Sequence, residues 1–258
     1  MQKGDRILNY FIVTGASKGL GLELSKILSE ADNKVCLISR NKNDEVEKLL
    51  DTDNVAHFSL NLDNLFEIEN TIDEIFESID FSNAKKIALI NNAGMVEPIK
   101  PMDKVKDVEI IQNINVNLTA PLILASSFLR KTAAFEGDKR IITVSSGAGK
   151  SPIKGWGSYC VSKCGVDMMT RVIALEQGEN GAKCLSFGPG IMDTAMQETI
   201  RSADENDFED LEKFKEYKSE GKLLEPKVVA QVLYDLLYTE SDFEQGGIVS
   251  VRDFIENS

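Results

Sequence analysis

Two side chains with complementary acid chemistry stand four positions apart in Tyr159-Cys160-Val161-Ser162-Lys163. That spacing puts both on one face of a helix. A free tyrosine loses its proton near pH ~10, too high for efficient proton transfer at neutrality. An adjacent ammonium favours the phenolate and lowers that value. A hydroxyl, Ser146, lies thirteen residues upstream at the end of an apolar run. The three together could hold an oxygen atom and hand it a proton. Nearer the start, Thr14-Gly15-Ala16-Ser17-Lys18-Gly19-Leu20-Gly21 separates an apolar run from an amphipathic one. Glycines there let the backbone turn tightly and come close to an anion. The helix that follows offers unpaired N–H groups and the positive end of its dipole. The chemistry implied is pyrophosphate binding beside proton transfer.

These groups need a scaffold, and the apolar pattern supplies one. Tyr10–Thr14, Lys34–Ser39, Val55–Leu60, Lys86–Asn91, Arg140–Ser145, Lys183–Phe187 and Ile248–Val251 read as strands without strict alternation. That pattern is expected of a sheet covered on both faces. Between them, Leu20–Ala31, Asn43–Leu50, Leu65–Ile79, Asp107–Ala134, Tyr159–Gln177 and Pro226–Tyr238 read as helices. Alternation of this kind predicts an α/β fold: a doubly wound, parallel, seven-stranded sheet of the Rossmann type. The 258 residues suit a single domain spanning 1–258. The charged stretch 193–225 interrupts the rhythm and predicts one or two short helices. It is read as a substrate lid, the alternative being a solvated helix pair.

Composition narrows the function further. A net charge of −13 leaves no basic footprint for nucleic acid and disfavours an anionic membrane surface. Apolar runs such as Ile87–Ile90 and Leu122–Ala125 are far shorter than the ~20 residues of a membrane span. The start is too polar for a signal peptide, so a cytoplasmic setting is expected. Cys36, Cys160, Cys164 and Cys184 form no CxxC pair and no metal-ligand spacing, and are read as packing residues. No metal site is expected. Gly147-Ala148-Gly149-Lys150-Ser151 mimics the end of a P-loop, but Val144 stands where its first glycine belongs. A serine hydrolase finds no Gly-x-Ser-x-Gly elbow, and the single histidine, His57, falls in the third strand.

The Gly-x-x-x-Gly-x-Gly loop, Asn91-Asn92-Ala93-Gly94, Ser146, the Tyr159/Lys163 pair and Pro189-Gly190-Ile191-Met192-Asp193-Thr194 occur in one order along the chain. In this the sequence resembles the short-chain dehydrogenase/reductase family over essentially its whole length. Around Trp156 and the Pro189 turn it is most similar to the sepiapterin reductase and bacterial benzil reductase branches. The resemblance implies a carbonyl reductase acting on a small-molecule ketone, either a vicinal diketone or a sepiapterin-like compound. Ser146 would hydrogen-bond the carbonyl oxygen, and Tyr159 would protonate it. Lys163 would grip the nicotinamide ribose and tune Tyr159, and Asn117 would hold a water linked to Lys163. Asn115 is the rival for that last role; the Leu-Thr that follows favours Asn117. Ser145 and Trp156 would border the substrate, although Trp156 could equally be a packing residue. The family also implies a homodimer or homotetramer built through the Asp107–Ala134 and Tyr159–Gln177 helices.

The same resemblance places Gly15, Ser17, Lys18, Gly19, Leu20 and Gly21 along the cofactor pyrophosphate. Asn61 and Leu62 would lie near the adenine, with Asn61 replacing the family's usual Asp. Asn92, Ala93 and Gly94 would pass its ribose side, and Pro189, Gly190, Met192 and Thr194 the carboxamide end. The second strand ends Ser39-Arg40-Asn41 with no acid to accept from a ribose. Arg40 and Lys18 suit a 2′-phosphate instead, with Asn41 beside them, so NADPH is the expected cofactor. A cofactor-binding regulator without turnover is the alternative, and the intact Ser146, Tyr159 and Lys163 argue against it. Sepiapterin reductases anchor the pterin with an Asp near the C-terminus. Alignment through Gly246 or Gly247 puts Ser250 or Val251 there, with Asp253 close by, so diketones are expected over pterins.

Overall fold

The computed structural model describes residues 8–31, 33–239 and 244–255. The strands are β1 (Leu8–Thr14), β2 (Asn33–Ser39), β3 (Val55–Ser59), β4 (Ala84–Asn91), β5 (Asp138–Val144), β6 (Lys183–Gly188) and β7 (Ile248–Ser250). They form one parallel seven-stranded sheet in the order β3-β2-β1-β4-β5-β6-β7. Successive residues of β1 feed opposite cores. Tyr10 and Ile12 join one, and Phe11 and Val13 the other. The absence of apolar/polar alternation in the strands follows from this two-sided burial.

The first core is closed by α3 (Ile68–Glu77), α5 (Ala120–Lys131) and α6 (Gly157–Gln177). The second is closed by α1 (Gly19–Glu30) and α9 (Pro226–Tyr238), with Val46 of α2 (Asp44–Leu50) at its edge. At the far end of the sheet from the glycine loop, two buried cations fasten the end of α9. Arg140 Nη1 donates to Leu236 O at 2.9 Å, and Lys86 Nζ donates to Leu237 O. Both satisfy carbonyls left open at a helix C-terminus.

The expected helix Asp107–Ala134 is divided and stops at Lys131. It consists of α4 (Asp107–Ile114), a π turn over Asn115–Thr119, and α5. Pro121, early in α5, brings no N–H and crowds the carbonyl four residues back, and the wider turn relieves this; Ala120 N reaches back to Asn115 O. Taken as one run, Asp107–Lys131 is long and apolar enough by length and composition to cross a membrane. This corrects the reading from short apolar runs alone. Its Ala120, Leu124, Ala125 and Phe128 are packed in the first core.

Residues 193–225 fold as α7 (Ala195–Arg201) and α8 (Leu211–Ser219) above the ends of β4, β5 and β6. A neck closes the excursion: Asp193 N donates to Leu224 O at 3.0 Å, and Leu224 N to Ile191 O at 2.9 Å. After β7 the chain turns into the short α10 (Arg252–Ile255), which ends the strand at Ser250 rather than Val251.

Candidate active site

Strand order reverses between β1 and β4, and a crevice opens at their carboxyl ends. The glycine loop lines it. Gly15 and Gly19 have φ of 66° and 56°, a region that favours glycine. A Cβ on Gly15 would lie 2.8 Å from Ala93 Cα, and one on Gly21 would lie 2.4 Å from Asn92 Nδ2 and 2.5 Å from Gly15 O. Asn92 is the clamp that requires this closeness, its Nδ2 donating to Thr14 O at 2.9 Å and Gly15 O at 3.3 Å. Thr14 Oγ1 accepts from Asn92 N and Ala93 N, both at 3.0 Å. No side chain caps the first turn of α1 and no acid lies in it. That bare N-terminus behind side-chain-free loop positions fits a pyrophosphate.

Gly15 N and Ala16 N both donate to Ile38 O, so the loop passes over the end of β2. There Asn43, which also caps α2, donates to Ser17 O at 2.7 Å. The contact joins the loop that carries Lys18 to the segment that carries Arg40 and Asn41. Both cations are exposed. His57 Nε2 lies 2.9 Å from Ser39 Oγ, and burial lowers its pKa, in keeping with a structural role. Leu62 is buried, and Asn61 Oδ1 accepts from Asp63 N in the loop after β3. At the other end of the crevice, a Cβ on Gly19 would lie 3.3 Å from Thr194 Cγ2. The glycine loop therefore meets the start of α7, next to Pro189, Gly190 and Met192.

The candidate proton-transfer residues gather beyond the end of β5, Ser146 in the turn that follows it and Tyr159 and Lys163 on α6. The buried Tyr159 lies near the Ser146 hydroxyl. Ser146 Oγ accepts from Ala148 N, which fixes its turn. Lys163 is 4% exposed, and its Nζ donates to Val144 O at 2.8 Å. The lowering of the Tyr159 pKa expected from its lysine neighbour is not what this arrangement produces. Burial pushes the phenol up to about 12, with the Ser146 hydrogen bond opposing. Burial likewise pushes Lys163 down to about 8, against the charge of Asp167. Nζ lies 5.7 Å from the Tyr159 ring centre, and desolvation outweighs the ammonium's field at that separation.

Of the two asparagines, Asn117 is the one that lies by Lys163. Asn117 is buried in the π turn and donates to Met95 O at 2.8 Å; its Oδ1 accepts from Met95 N at 2.9 Å. A Cβ on Gly94 would lie 3.2 Å from Asn117 Oδ1 and 3.5 Å from Lys163 Nζ, so both groups converge on that glycine. Asn115 points elsewhere, donating to Asp63 Oδ1 at 3.0 Å. Ser145 is buried, its hydroxyl 3.5 Å from Lys163 O.

Trp156 is 5% exposed and stands between Tyr159 and the helical excursion. Its ring meets Tyr159 edge-on at 5.4 Å, stacks on Phe208 at 5.5 Å and touches Phe214 at 5.4 Å. The structure shows it as a packing residue between Tyr159 and the excursion. A cleft of about 620 Å³ opens between the loop after β4 and α7, bordered by Ile99, Lys100, Glu109, Ala195 and Glu198. Near the C-terminus, Val251 is fully buried and packs beneath Gly190, and the carboxylate of Asp253 accepts from Ser250 N at 2.7 Å.

Sequence reasoning missed three contributors. Asn43 carried only the signal of a helix cap. Asn113, fully buried, donates to Glu97 O at 2.7 Å and accepts from Asn117, so it steadies the loop after β4. Asp167, one turn past Lys163, is buried as well.

A sequence model of the family described as short chain dehydrogenase matches residues 9–205. The chain is 42% identical to a benzil reductase ((S)-benzoin forming) of Bacillus cereus, over 95% of this chain and 100% of that protein. It is 30% identical to the sepiapterin reductase of Bos taurus over 94% of each. A short chain dehydrogenase/reductase from Saccharomyces cerevisiae shares the fold with a TM-score of 0.84 at 23% identity, over 96% of this chain and 97% of that one.

The glycine loop gives a direct test of the close approach. Gly21→Ala forces a Cβ against Asn92 and the Gly15 carbonyl, and should lower folding stability by about 1–3 kcal/mol, a usual size for overpacking. Urea denaturation reads it, and a stability equal to that of the parent would show that the loop has room.

Proposed function

The chain belongs to the short-chain dehydrogenase family, and from that premise we propose that it reduces ketones with NADPH, vicinal diketones of the benzil type being preferred over pterins. One observation carries the reading: the buried Lys163 ammonium, held on Val144 O beside Gly94 and 5.7 Å from the Tyr159 ring centre, shares the carboxyl end of the sheet with Ser146 and the bare glycine loop. Bound NADPH would supply the hydride. Gly15 to Gly21 would hold its pyrophosphate, Arg40, Asn41 and Lys18 its 2′-phosphate, and Asn61 and Leu62 its adenine. Asn92, Ala93, Gly94, Tyr159 and Lys163 would line its nicotinamide half, with Pro189, Gly190, Met192 and Thr194 at the carboxamide.

Ser146 holds the substrate oxygen through its hydroxyl. Tyr159 donates its proton to that oxygen as negative charge builds on it. A phenol raised to about 12 stays loaded for donation across the neutral range, and the developing alkoxide is a stronger base than the phenolate left behind. Lys163 offers its ammonium to the ribose hydroxyls, and Asn117 fixes the loop around it. The residues 193–225 act as a lid whose aromatic underside excludes water.

Three features support the substrate class. The buried aromatic packing of Trp156, Phe208 and Phe214 lies directly behind Tyr159, an apolar setting in keeping with an aryl ketone. The C-terminal place expected for a pterin anchor holds Ser250 and the buried Val251, and Asp253 is turned onto the Ser250 amide. The bacterial relative is named for benzil. An exposed apolar stripe on α6 (Val161, Met168, Val172, Leu175), with Val108, Ile111 and Leu122 on the α4–α5 run, supports a homodimer or homotetramer through these helices.

Tyr159→Phe should leave NADPH binding nearly intact while lowering turnover of benzil at least ~10²-fold, the usual size of general-acid catalysis. Full turnover would sink the assignment of the acid, and a wild-type protein that binds NADPH without oxidising it would favour the regulator. Arg40→Ala should weaken NADPH far more than NADH, because a charge-assisted contact to phosphate is about twice as strong as a neutral one. Equal losses in titrations with the two cofactors would assign Arg40 a structural role. Leu175→Glu should shift the sedimentation of the wild-type oligomer toward monomer; an unchanged profile would move the interface off α6.

A further inference from the structure

The chain leaves β2 through three exposed residues, Arg40, Asn41 and Lys42. Their backbone is tied down one carbonyl after another. Ser39 O accepts from Leu60 N at 3.1 Å. Arg40 O accepts from Ser59 Oγ at 3.0 Å, and Asn41 O from Ser39 Oγ at 2.9 Å. The two serines pair in register across β2 and β3. His57, two residues before Ser59 on β3, backs the arrangement. The single hydroxyl proton of Ser39 goes to Asn41 O, so His57 Nε2, 2.9 Å away, donates to Ser39 Oγ.

These bonds orient more than the carbonyls. In a trans peptide the N–H points opposite to the C=O. The cis bond among the described residues lies elsewhere, at Glu97-Pro98. Holding Ser39 O, Arg40 O and Asn41 O therefore turns the N–H groups of Arg40, Asn41 and Lys42 away from the atoms that hold them. No carbonyl among the described residues accepts from these three N–H groups. The glycine loop uses the same device: Asn43 Nδ2 holds Ser17 O at 2.7 Å, which turns the Lys18 N–H away from Asn43. A carbonyl held in this way does not present its negative end to an anion, and outward N–H groups are what anion-binding turns use. An exposed loop has water for its carbonyls, so side-chain donors committed to them set its shape rather than satisfy it.

We propose that Ser59 and Ser39 are positioning residues for cofactor choice: by holding the carbonyls of Arg40 and Asn41, they fix the backbone that presents these two residues to the 2′-phosphate of NADPH. The inference rests on the NADPH reading given above. Neither hydroxyl has to touch the cofactor. Both act through the segment that carries Arg40, and the adenine, pyrophosphate and nicotinamide contacts shared by NADH and NADPH do not depend on them.

The test is binding to the full chain without substrate, read by fluorescence titration with NADPH and with NADH. Ser59→Ala and Ser39→Ala should each raise the NADPH Kd about fivefold, the size of one lost hydrogen bond, and leave the NADH Kd within about twofold. Ser59→Thr, which keeps the hydroxyl, should restore the wild-type preference. Adenosine 2′,5′-bisphosphate, which carries the phosphate without the nicotinamide, should lose affinity in step with NADPH. A ratio of NADPH to NADH Kd that is unchanged in either alanine variant, whether both affinities fall together or neither does, overturns the inference. If Arg40→Ala remains selective for NADPH in that case, the cofactor reading stands without it. If Arg40→Ala weakens both cofactors equally, the reading and the inference fall together.

Discussion

An ammonium held at 4% exposure is an expensive thing to place inside a protein, and much of the site follows from holding it there. Lys163 spends one donor on the carbonyl that ends β5, which fixes its stem across the mouth of the sheet. A buried carboxylate, Asp167, follows one turn on along its own helix. The backbone at Gly94 comes so close that a methyl group would crowd both the ammonium and the Asn117 amide. Asn117 reaches that place because the π turn redirects it inward. The glycine after β4, the break in the long helix and the polar strip along α6 are therefore answers to one constraint.

The same constraint explains which parts of the site were legible in the sequence. The sheet was legible because burial on both faces leaves unbroken runs such as Phe11-Ile12-Val13 and Ile87-Ala88-Leu89-Ile90. The Tyr159/Lys163 pair was legible because helical spacing puts both on one face whatever surrounds them. Asn117 was harder to separate from Asn115. The decision depends on a π turn, whose extra residue changes the register of every side chain after it, and only the Pro121 that favours the turn is visible in advance. Asp167 was not legible. A lysine followed by an acid four residues later reads as an exposed ion pair. Its burial comes from Ser186, on a strand that local pattern does not connect to it.

Asn43 shows the same limit in milder form. Its position before an apolar run marks a helix cap, and it is one, accepting from Val46 N at 3.0 Å. Its amide nitrogen does a second task by tying the end of β2 to Ser17. Local pattern reveals what a residue does for its own element. It does not reveal what the free half of the side chain does for another, and binding crevices are built largely from such second halves.

Trp156 links the charge in the site to the helices above it. Desolvation raises Tyr159, and the ring pressed against Tyr159 is itself clamped by Phe208 and Phe214 from the excursion. Residues 193–225 therefore pack against Tyr159 through one indole. Buried behind these aromatics, Tyr159 keeps its proton across the neutral range. In the proposed reaction, that proton is the one handed to the carbonyl oxygen held by Ser146.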